Sequence, residues 1–498
     1  MKRSNSHHSD DEIDQRVSKK VKLENEIIET LEVLIDDIVD DNNNKEEPVK
    51  EEPLSESQRK ALDAVIRGEN VFITGGAGVG KSFLIDKIKE ELTEMGNETY
   101  YVCATTGSAA YNIGGMTIHS FAGIGLGDKD VNYHIKTLKK SGKDKVIRWQ
   151  ATHTIIIDEI SMLNATYFDK LNQIAKTIRN CKTKAFGGMQ VILVGDFAQI
   201  PPIMPKADPT QKVLSKVESQ YAFQTPTWRE LKLTMIKLCK NFRQQNDDQF
   251  ASFLHEIRMG NMTTKEEEII RSRDISRKGN TVPDNATKIF SYRNDVLRTN
   301  QQELAKINAP SVFYDADIYQ KNATGNTSNP NQYPVDARIE LKVGASVLLC
   351  FNLSTENGLY NGSRGVITSF VDLTPKEKEG DEKKPTIEKK IFPMVLFDNG
   401  MKRIIRPHTW NSYEKKTILS SFTQIPLVLS YALTTHKCQG LTLNSALVDM
   451  KAFCTGQTYV GMSRVRRIED LYITNFVSKK PILADPIVIA YYRKHNLL

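Results

Sequence analysis

Gly75-Gly76-Ala77-Gly78-Val79-Gly80-Lys81-Ser82 fits the pattern G-x-x-x-x-G-K-S, and the residues on either side of it support a structural interpretation. Residues 70–74 before it predict a short buried strand, and residues 83–88 after it begin an apolar-periodic helix. In that setting the glycines let backbone N–H groups converge on phosphates, and the helix N-terminus adds its positive end. We therefore expect residues 75–82 to bind a nucleotide, with Lys81 on its β- and γ-phosphates and the Ser82 hydroxyl on Mg²⁺.

The composition is typical of a soluble globular protein with several domains. The chain has 498 residues, of which 26% are charged and 39% are hydrophobic. It contains no run of about 18 apolar residues, which predicts no membrane span, and its charged N-terminus lacks a signal-peptide core. The scattered cysteines form no C-x-x-C pair, which disfavours a zinc site or disulfide scaffold and favours a reducing, intracellular compartment. They are Cys103, Cys181, Cys239, Cys350, Cys438 and Cys454.

Residues 1–52 form an acidic tail on a basic body. They contain 16 acidic and 8 basic residues, and because the whole chain carries +7, the remainder must carry about +15. This asymmetry is typical of nucleic-acid-binding proteins, although a lysine-rich solvated surface explains it equally well. The tail has no aromatic residue and is rich in Asp, Glu, Asn, Lys and Ser, which predicts disorder.

Two features of the tail have open interpretations. Lys19-Lys20-Val21-Lys22 is a candidate nuclear-import signal or a short solvated cluster. Six apolar residues at helical spacing predict a helix that docks on a protein partner or on the body, or a transient helix without a role. They are Ile27, Ile28, Leu31, Leu34, Ile35 and Ile38.

Two α/β domains are expected in the rest of the chain. From residue 53 to 230, strand-like and helix-like runs alternate, which predicts a domain built on a largely parallel sheet. Ser55 is the expected N-cap of its first helix, and a lysine-rich insert covers residues 126–150. A second α/β domain is expected over residues 231–338 and 421–498.

The segment between the two parts of the second domain has a different pattern. Residues 339–420 contain short β-branched runs separated by turn signals, which predicts a small inserted β-barrel. Its charged run at residues 376–390 predicts a disordered loop.

Two adjacent acids after an apolar strand are the second chemical signal. Residues 154–157 are Thr-Ile-Ile-Ile, and the carboxyl end of this predicted strand delivers Asp158 and Glu159. Parallel α/β sheets build their sites at that end. We expect Asp158 to hold Mg²⁺ and Glu159 to polarise the attacking water.

A third apolar strand also ends in polar groups. Residues 191–194 predict that strand, and Pro201 and Pro202 force the chain to leave it sharply. Gln199 lies between them, and its amide both donates and accepts hydrogen bonds. This residue is suited to sensing a γ-phosphate.

The order of these segments resembles the PIF-one family of DNA helicases, in the branch of helicase superfamily one that also contains RecD. The resemblance runs from about residue 54 to residue 475 and omits the tail. Cys438 stands where serine is usual in the family, and Gly461-Met462 replace the usual Ala-Leu. The matching segments are residues 54–58, 75–82, 105–110, 114–123, 158–163, 195–202, 241–244, 361–365, 432–442 and 459–464.

The resemblance implies two RecA-like domains with ATP and Mg²⁺ between them. It implies movement 5′ to 3′ on single-stranded DNA and unwinding of duplex, junction or structured DNA in genome maintenance or replication. Gln58 would read adenine, and Gln199, Arg243 and Arg464 would contact the γ-phosphate. The two arginines would reach across from the second domain, where a permanent charge and a bidentate fork suit phosphate. The insert at 126–150 would lie near the point of strand separation, and the barrel would resemble a Src-homology-three fold.

DNA contacts are expected in two hydroxyl-rich segments. Thr106 and Ser108 in the first segment, and Thr434 and Lys437 in the second, would bind backbone phosphates without sequence preference. His119 and His436 would either do the same or pack as core histidines, and these alternatives stay open.

Two other classes of protein remain open. A ring-forming P-loop ATPase that remodels or packages macromolecules takes its arginine finger from a neighbouring subunit. Here Arg243 and Arg464 lie in a second half of the same chain, which favours a monomer. A catalytically silent DNA-binding module would not need the intact set of Lys81, Asp158 and Glu159.

Overall fold

A computed structural model describes residues 53–498 of the chain, with several gaps. The gaps are residues 97–98, 107–108, 111–112, 203–219, 278–280, 285, 321–332, 334, 352, 355–358, 360–361, 374–389, 415–416 and 478–483. The predictions for the acidic tail, for Ser108 and for most of the charged loop at 376–390 therefore lie outside the described residues. Leu54–Leu498 form one unit of the chain.

The first domain is built on a six-stranded parallel sheet with the order β3-β2-β4-β5-β1-β6. Its strands are β1 (Val71–Thr74), β2 (Tyr100–Ala104), β3 (Met116–Thr117), β4 (Thr154–Asp158), β5 (Gln190–Val194) and β6 (Thr234–Lys237). Its helices are α1 (Glu56–Ile66), α2 (Lys81–Glu94), α3 (Ile118–Ala122), α4 (Val131–Ser141), α5 (Lys143–Ala151), α6 (Ala165–Ile178) and α7 (Pro226–Glu230). The strands predicted at residues 70–74, 154–157 and 191–194 are confirmed as β1, β4 and β5, with β1 one residue shorter and β4 and β5 one residue longer than expected.

The central strands are apolar on both faces because a core covers each side of the sheet. Phe72, Ile155 and Ile157 point into one core, whereas Val71 and Ile73 point into the other. These alternating side chains are fully buried. The sheet is therefore held rigidly from both sides, and its carboxyl edge is a fixed platform for the polar residues that follow each strand.

Ser55 caps α1 as predicted. The Ser55 side chain accepts a hydrogen bond from the Gln58 backbone N–H, and the Ser55 backbone N–H donates to Gln58 Oε1 at 2.9 Å. Such a reciprocal capping box satisfies two of the free N–H groups of the helix start. It also fixes the Gln58 side chain, because Gln58 Oε1 accepts the Ser55 backbone N–H.

The first domain is larger than the sequence predicted. Strand β6 starts beyond the expected boundary at residue 230, yet it pairs in parallel with β1. Helix α12 (Pro486–Lys494) was assigned to the second domain, but its residues Val488 and Tyr492 lie in the first domain's core with Phe72. Both predicted domain boundaries therefore need correction. Strand β6 and helix α12 join the first domain because they pack against residues that are distant in the sequence, and a local sequence pattern does not show such packing.

The second domain has a four-stranded parallel sheet with the order β18-β7-β19-β20. Its strands are β7 (Thr287–Phe290), β18 (Ala432–Thr434), β19 (Ala446–Asp449) and β20 (Leu471–Thr474). Its helices are α8 (Asp248–Arg258), α9 (Thr264–Ser272), α10 (Arg293–Ala305) and α11 (Gln457–Met462). The two-domain α/β prediction is confirmed.

An antiparallel β region interrupts the second domain, and it is longer than the predicted 339–420. Its strands are β8 (Val312–Asp315), β9 (Asp317–Gln320), β10 (Arg338–Leu341), β11 (Ser346–Leu349), β12 (Arg364–Asp372), β13 (Ile391–Phe397), β14 (Lys402–Ile404), β15 (His408–Glu414), β16 (Thr417–Gln424) and β17 (Leu427–Leu429). They form sheets with the orders β14-β13-β12-β11-β17, β15-β16-β9 and β10-β8. Among the described residues these sheets do not close into one ring, so the barrel stays a prediction.

The lysine-rich insert at 126–150 folds mainly as α4 and α5. Trp149 anchors α5, since its side chain is fully buried and donates to the Ala122 carbonyl at 3.3 Å. Leu126 and Ile147 are exposed at 84% and 59%. The insert is thus fixed at its base and apolar on part of its surface, while its place near strand separation stays a prediction. No helix in the described part of the chain is long and apolar enough to cross a membrane.

Candidate active site

The glycine loop lies between β1 and α2, and Lys81 is folded back over it. Lys81 Nζ donates to the carbonyls of Gly75 at 2.9 Å and Gly76 at 2.8 Å. Burial lowers the pKa of Lys81, and the negative charge of Asp196 is the largest influence that opposes this shift. The ammonium is therefore held at the centre of the loop, where a phosphate group would replace the two carbonyls as its partner.

Two glycines of the loop are required by geometry. Gly78 and Gly80 have φ values of +80° and +77°, which side-chain-bearing residues rarely adopt. A Cβ at Gly78 would lie 2.6 Å from Arg243 Cβ, and one at Gly80 would lie 2.7 Å from Gln58 Nε2. The loop is thus in close contact with the segments that carry Arg243 and Gln58.

Gln58 is buried beside the loop. Its Oε1 is used in the capping box, and its Nε2 donates to the Gly80 carbonyl at 3.4 Å. Its relative exposure is 1%. Gln58 therefore supports the phosphate loop in this structure, and its contact with adenine stays a prediction.

The two acids occupy the end of β4 as expected. Asp158 Oδ1 accepts from the Glu159 backbone N–H at 2.8 Å, and Glu159 has a left-handed backbone with φ 52°. Such a conformation is uncommon for a residue with a side chain, and it concentrates at functional sites. Burial raises the pKa of both carboxyls, and the Asp158 charge raises that of Glu159 further. Cations in the site would therefore stabilise the ionised pair.

Gln439, to which the sequence assigned no role, contacts two of the predicted site residues. It follows β18 in the second domain, and its Nε2 donates to Glu159 Oε2 at 2.8 Å and to Gln199 Oε1 at 3.5 Å. Gln199 itself is buried and donates to Asp196 Oδ2 at 3.3 Å. The signal that could have found Gln439 was its position just after a parallel strand, where α/β sites are built.

Arg243 was expected on the second domain, but it lies at the junction of the two domains. It is in the loop between β6 and α8, and the neighbouring Phe242 backbone N–H donates to the Gly78 carbonyl at 2.8 Å. Its guanidinium donates to the Ser463 carbonyl and to Thr442 Oγ1, both at 3.0 Å. The backbone of Arg243 therefore belongs to the phosphate-loop side, and its side chain points towards the second domain.

Arg464 does come from the second domain. It directly follows Ser463, the C-cap of α11. The Arg464 guanidinium donates hydrogen bonds to the Val460 carbonyl and to Ser463 Oγ, both at 2.7 Å. Burial lowers the pKa of both arginines, that of Arg243 to about 9 with a further contribution from the Arg464 charge. Two desolvated guanidinium groups that repel each other make this part of the site favourable for an anion.

One cavity of about 560 Å³ is lined by five of these residues: Lys81, Glu159, Gln199, Arg243 and Arg464. Arg466 and Arg467, which the sequence did not single out, also line it. The cavity is thus bordered by cations from both halves of the chain. Its lining includes Gly78, Gly80, Lys81, Ser82, Glu159, Gln199, Phe242, Arg243, Arg464, Arg466 and Arg467.

The candidate DNA-binding residues of the first domain lie on two short segments. Thr106 Oγ1 accepts from the Ala109 backbone N–H at 3.2 Å, so its hydroxyl stabilises a turn. His119 packs against Tyr167 with ring centroids 4.7 Å apart, and burial lowers the pKa of His119. The packing interpretation of His119 therefore has structural support, and a DNA contact stays a prediction.

The second-domain candidates lie on the same loop as Gln439. Thr434 Oγ1 accepts from the Lys437 backbone N–H at 3.3 Å, and the Lys437 side chain is exposed. His436 is half-buried next to Phe453, which is 55% exposed and also contacts Tyr292. The sequence did not single out Phe453 and Tyr292. Their rings offer flat surfaces of the kind on which nucleic-acid bases stack.

The fold and the site together define a two-domain P-loop protein. One α/β domain carries the phosphate loop, and Arg464 lines the same cavity from the other domain. The family model "PIF1-like helicase" matches residues 53–268 of the chain. A second family model, "DNA helicase Pif1, 2B domain", matches residues 329–370. The chain is 34% identical over 448 residues to the ATP-dependent DNA helicase PIF1 of Xenopus laevis, which covers 89% of this chain.

Solved structures agree with this assignment. The crystal structure of Pif1 helicase from Candida albicans has a TM-score of 0.71 and 33% identity, and it covers 89% of this chain and 100% of its own. Pif1 helicase from Bacteroides in complex with ADP-AlF3 and ssDNA has a TM-score of 0.61 and 27% identity, with 90% and 98% coverage. The chain belongs to the PIF1-like helicase family. It spans 64% of the length of the Xenopus relative.

Proposed function

We propose that this protein is an ATP-dependent DNA helicase that translocates 5′ to 3′ on single-stranded DNA and unwinds paired or structured DNA. The observation that carries the proposal is the cavity in which Lys81 and Glu159 face Arg243 and Arg464. A relative of the same fold has been crystallised with ADP-AlF3 and ssDNA. The protein would have one site for ATP and another for a DNA strand. Binding at one site can affect the other when the two domains move relative to each other.

The residues of the cavity divide the chemistry of phosphoryl transfer between them. Lys81 would leave its two carbonyls and neutralise the β- and γ-phosphates, while Arg243 and Arg464 balance charge that develops on the equatorial oxygens. Glu159 would orient the attacking water, and Gln199 would contact the γ-phosphate. Because the arginines are desolvated in advance, little reorganisation is needed when charge develops.

The donor set near the phosphate loop fits Mg²⁺. Ser82 offers a hydroxyl and Asp158 a buried carboxylate, and hard oxygen donors of this kind bind Mg²⁺ together with nucleotide phosphates. When bound, Mg²⁺ would neutralise part of the negative charge of the β- and γ-phosphates. Ser82 and Asp158 would hold it, and the coulombic effect of Lys81 already favours the ionised form of Asp158.

The loop after β18 would connect the DNA face with the ATP site. Thr434, His436 and Lys437 lie on the proposed DNA side of this loop, and Gln439, two residues after Lys437, holds Glu159. A strand that pulls on the loop would therefore change the position of Gln439 and release Glu159 for its water. This arrangement gives a physical reason for hydrolysis to depend on DNA.

The protein would work as a monomer in a reducing, intracellular compartment. Residues from both halves of one chain already line the ATP cavity, so no neighbouring subunit is needed to complete it. All six cysteines are free. Nuclear import through Lys19-Lys20-Val21-Lys22 and a protein partner for the tail are further parts of this proposal.

Phosphate release with and without single-stranded DNA tests the proposal. We expect DNA to stimulate ATP hydrolysis, with a rate per molecule that does not depend on protein concentration. A silent DNA-binding module would release no phosphate. A steep dependence of the specific rate on protein concentration would instead favour the ring-forming ATPase.

A further inference from the structure

A buried polar cluster lies next to the phosphate loop, outside the proposed contacts with phosphate, metal and water. We call it the Asp196 cluster, formed by Thr74, Asp196, Arg258 and Tyr492. Arg258 donates to both oxygens of Asp196, from Nε and Nη2, each at 2.8 Å. Tyr492 donates to Asp196 Oδ1 at 3.0 Å and also contacts Thr74 Oγ1 at 3.0 Å. The exposed fractions of the Arg258 and Asp196 side chains are 3% and 0%.

Three distant parts of the chain meet in this cluster. Asp196 follows β5 in the first domain, Arg258 ends α8 in the second domain, and Tyr492 lies on the returning helix α12. The Arg258 guanidinium also lies over the Tyr492 ring, 5.3 Å from its centroid. Asp196–Arg258 is therefore an ion pair between the domains, and α12 covers it from the side of the first domain.

The ion pair is fully satisfied, which a buried charge pair requires if it is not to destabilise the fold. Burial opposes ionisation of Asp196, but the Arg258 charge and hydrogen bonds keep the pKa of Asp196 below its usual value. The Asp196 carboxylate also accepts from the Ala198 backbone N–H at 3.1 Å. Each oxygen of Asp196 thus has a partner, and removing one partner would leave buried charge uncompensated.

The cluster touches the two elements that would sense the γ-phosphate. Thr74 directly precedes the phosphate loop, and the Tyr492 hydroxyl accepts from the Phe197 backbone N–H at 2.7 Å. Gln199 is on the same short loop and donates to Asp196. One hydroxyl group on α12 therefore fixes both the start of the phosphate loop and the loop that carries Gln199.

We propose that Tyr492 and Arg258 are positioning residues of the ATP site, which hold the loop of Gln199 and the phosphate loop in register across the two domains. Helix α12 supports the site from a distant part of the chain, although none of its residues lines the cavity. The inference rests on the proposed ATP hydrolysis, and it assigns a role to residues that lie outside the phosphate, metal and water contacts.

Tyr492→Phe tests this with Tyr491→Phe as a matched control. Tyr491 is the neighbour on α12, and its hydroxyl accepts from Trp228 Nε1 at 2.9 Å within the first domain's core, away from Asp196. We expect Tyr492→Phe to lower the DNA-stimulated kcat by about tenfold to 100-fold, since small misplacements of reacting groups have effects of that size. The KM for ATP should change by less than about twofold, because the phosphate loop keeps its own backbone donors. Tyr491→Phe should keep the wild-type kcat.

Thermal unfolding of the same variants separates positioning from stability. A merely structural role would lower the melting temperature of both variants and leave kcat of the folded enzyme unchanged, and that result would overturn the proposal. If Tyr492→Phe does not fold, Arg258→Lys keeps the charge and loses the bidentate contact. A wild-type kcat in Arg258→Lys would equally overturn it. Absence of hydrolysis by the wild-type protein would instead contradict the proposed function, so the two failures are distinguishable.

Discussion

The phosphate loop and the two acids lie directly after the strands that the sequence predicts for them, and their catalytic roles stay predictions. Lys81 is half-buried and bonded to the carbonyls of its own loop, and Glu159 has a left-handed backbone with φ 52°, a conformation that concentrates at functional sites. These residues could be predicted because their signals are local, each within a few positions of a strand. Arg258 and Tyr492 could not, since they lie 62 and 296 positions from the Asp196 that they contact. Nothing in a local pattern specifies such a pair.

Lys81→Ala should abolish ATP hydrolysis, lowering it by at least about 100-fold, because it removes the cation that neutralises the β- and γ-phosphates. Binding to single-stranded DNA without nucleotide should remain within about twofold, since the proposed DNA contacts lie elsewhere. Phosphate release and fluorescence anisotropy measure the two properties. Lys60→Ala is the control, because Lys60 is exposed and only pairs with Glu56 on α1. Hydrolysis by Lys81→Ala at a substantial fraction of the wild-type rate would refute the assignment.

At the scale of elements, the sequence predicts the central strands well and their edges poorly. β1, β2, β4 and β5 are continuous apolar runs, so their pattern alone identifies them. β6 is half-buried along its length and follows a helix, so its sequence does not show that it completes the first sheet. The β region between residues 312 and 429 was likewise predicted as short strands, but strand pairing with β8 and β9 enlarges it.

The loop after β18 carries the second prediction. Gln439→Ala removes the hydrogen bond to Glu159, and a bond to a charged group contributes about 1.5–3 kcal/mol. Because Glu159 is then released without DNA, we expect the rate without DNA to rise towards the DNA-stimulated rate, so that stimulation by DNA falls by about tenfold or more. Steady-state ATP hydrolysis over a range of DNA concentrations measures this. Equal loss of both rates would show that Gln439 acts on the chemistry alone and does not couple it to DNA.

At the scale of the whole molecule, the two α/β domains form the ATP site within one chain, and a helix from the C-terminal end returns to the first domain. Arg464 lies more than 380 positions beyond Lys81 in the chain, yet both line one cavity. This arrangement favours a motor that opens and closes on each ATP over a ring of subunits.

Arg464→Ala tests whether the arginine acts within its own chain. We expect nearly normal nucleotide binding and a loss of about 10³–10⁵ in the DNA-stimulated rate, the usual effect of a missing arginine finger. A mixture of Arg464→Ala with Lys81→Ala should show no recovery, because each chain lacks part of its own site. Recovered hydrolysis in the mixture would place the arginine in a neighbouring subunit.

Unwinding of tailed DNA tests whether this protein is a 5′-to-3′ DNA motor. The substrates are two duplexes of identical sequence, one with a 5′ single-stranded tail and the other with a 3′ tail, each labelled so that strand release is measured by fluorescence. With ATP and Mg²⁺ we predict release from the duplex with the 5′ tail, little release from the duplex with the 3′ tail, and none when Lys81→Ala replaces the wild-type protein. Preferential release from the duplex with the 3′ tail, or release by the wild-type protein without ATP, would contradict a 5′-to-3′ motor driven by this site.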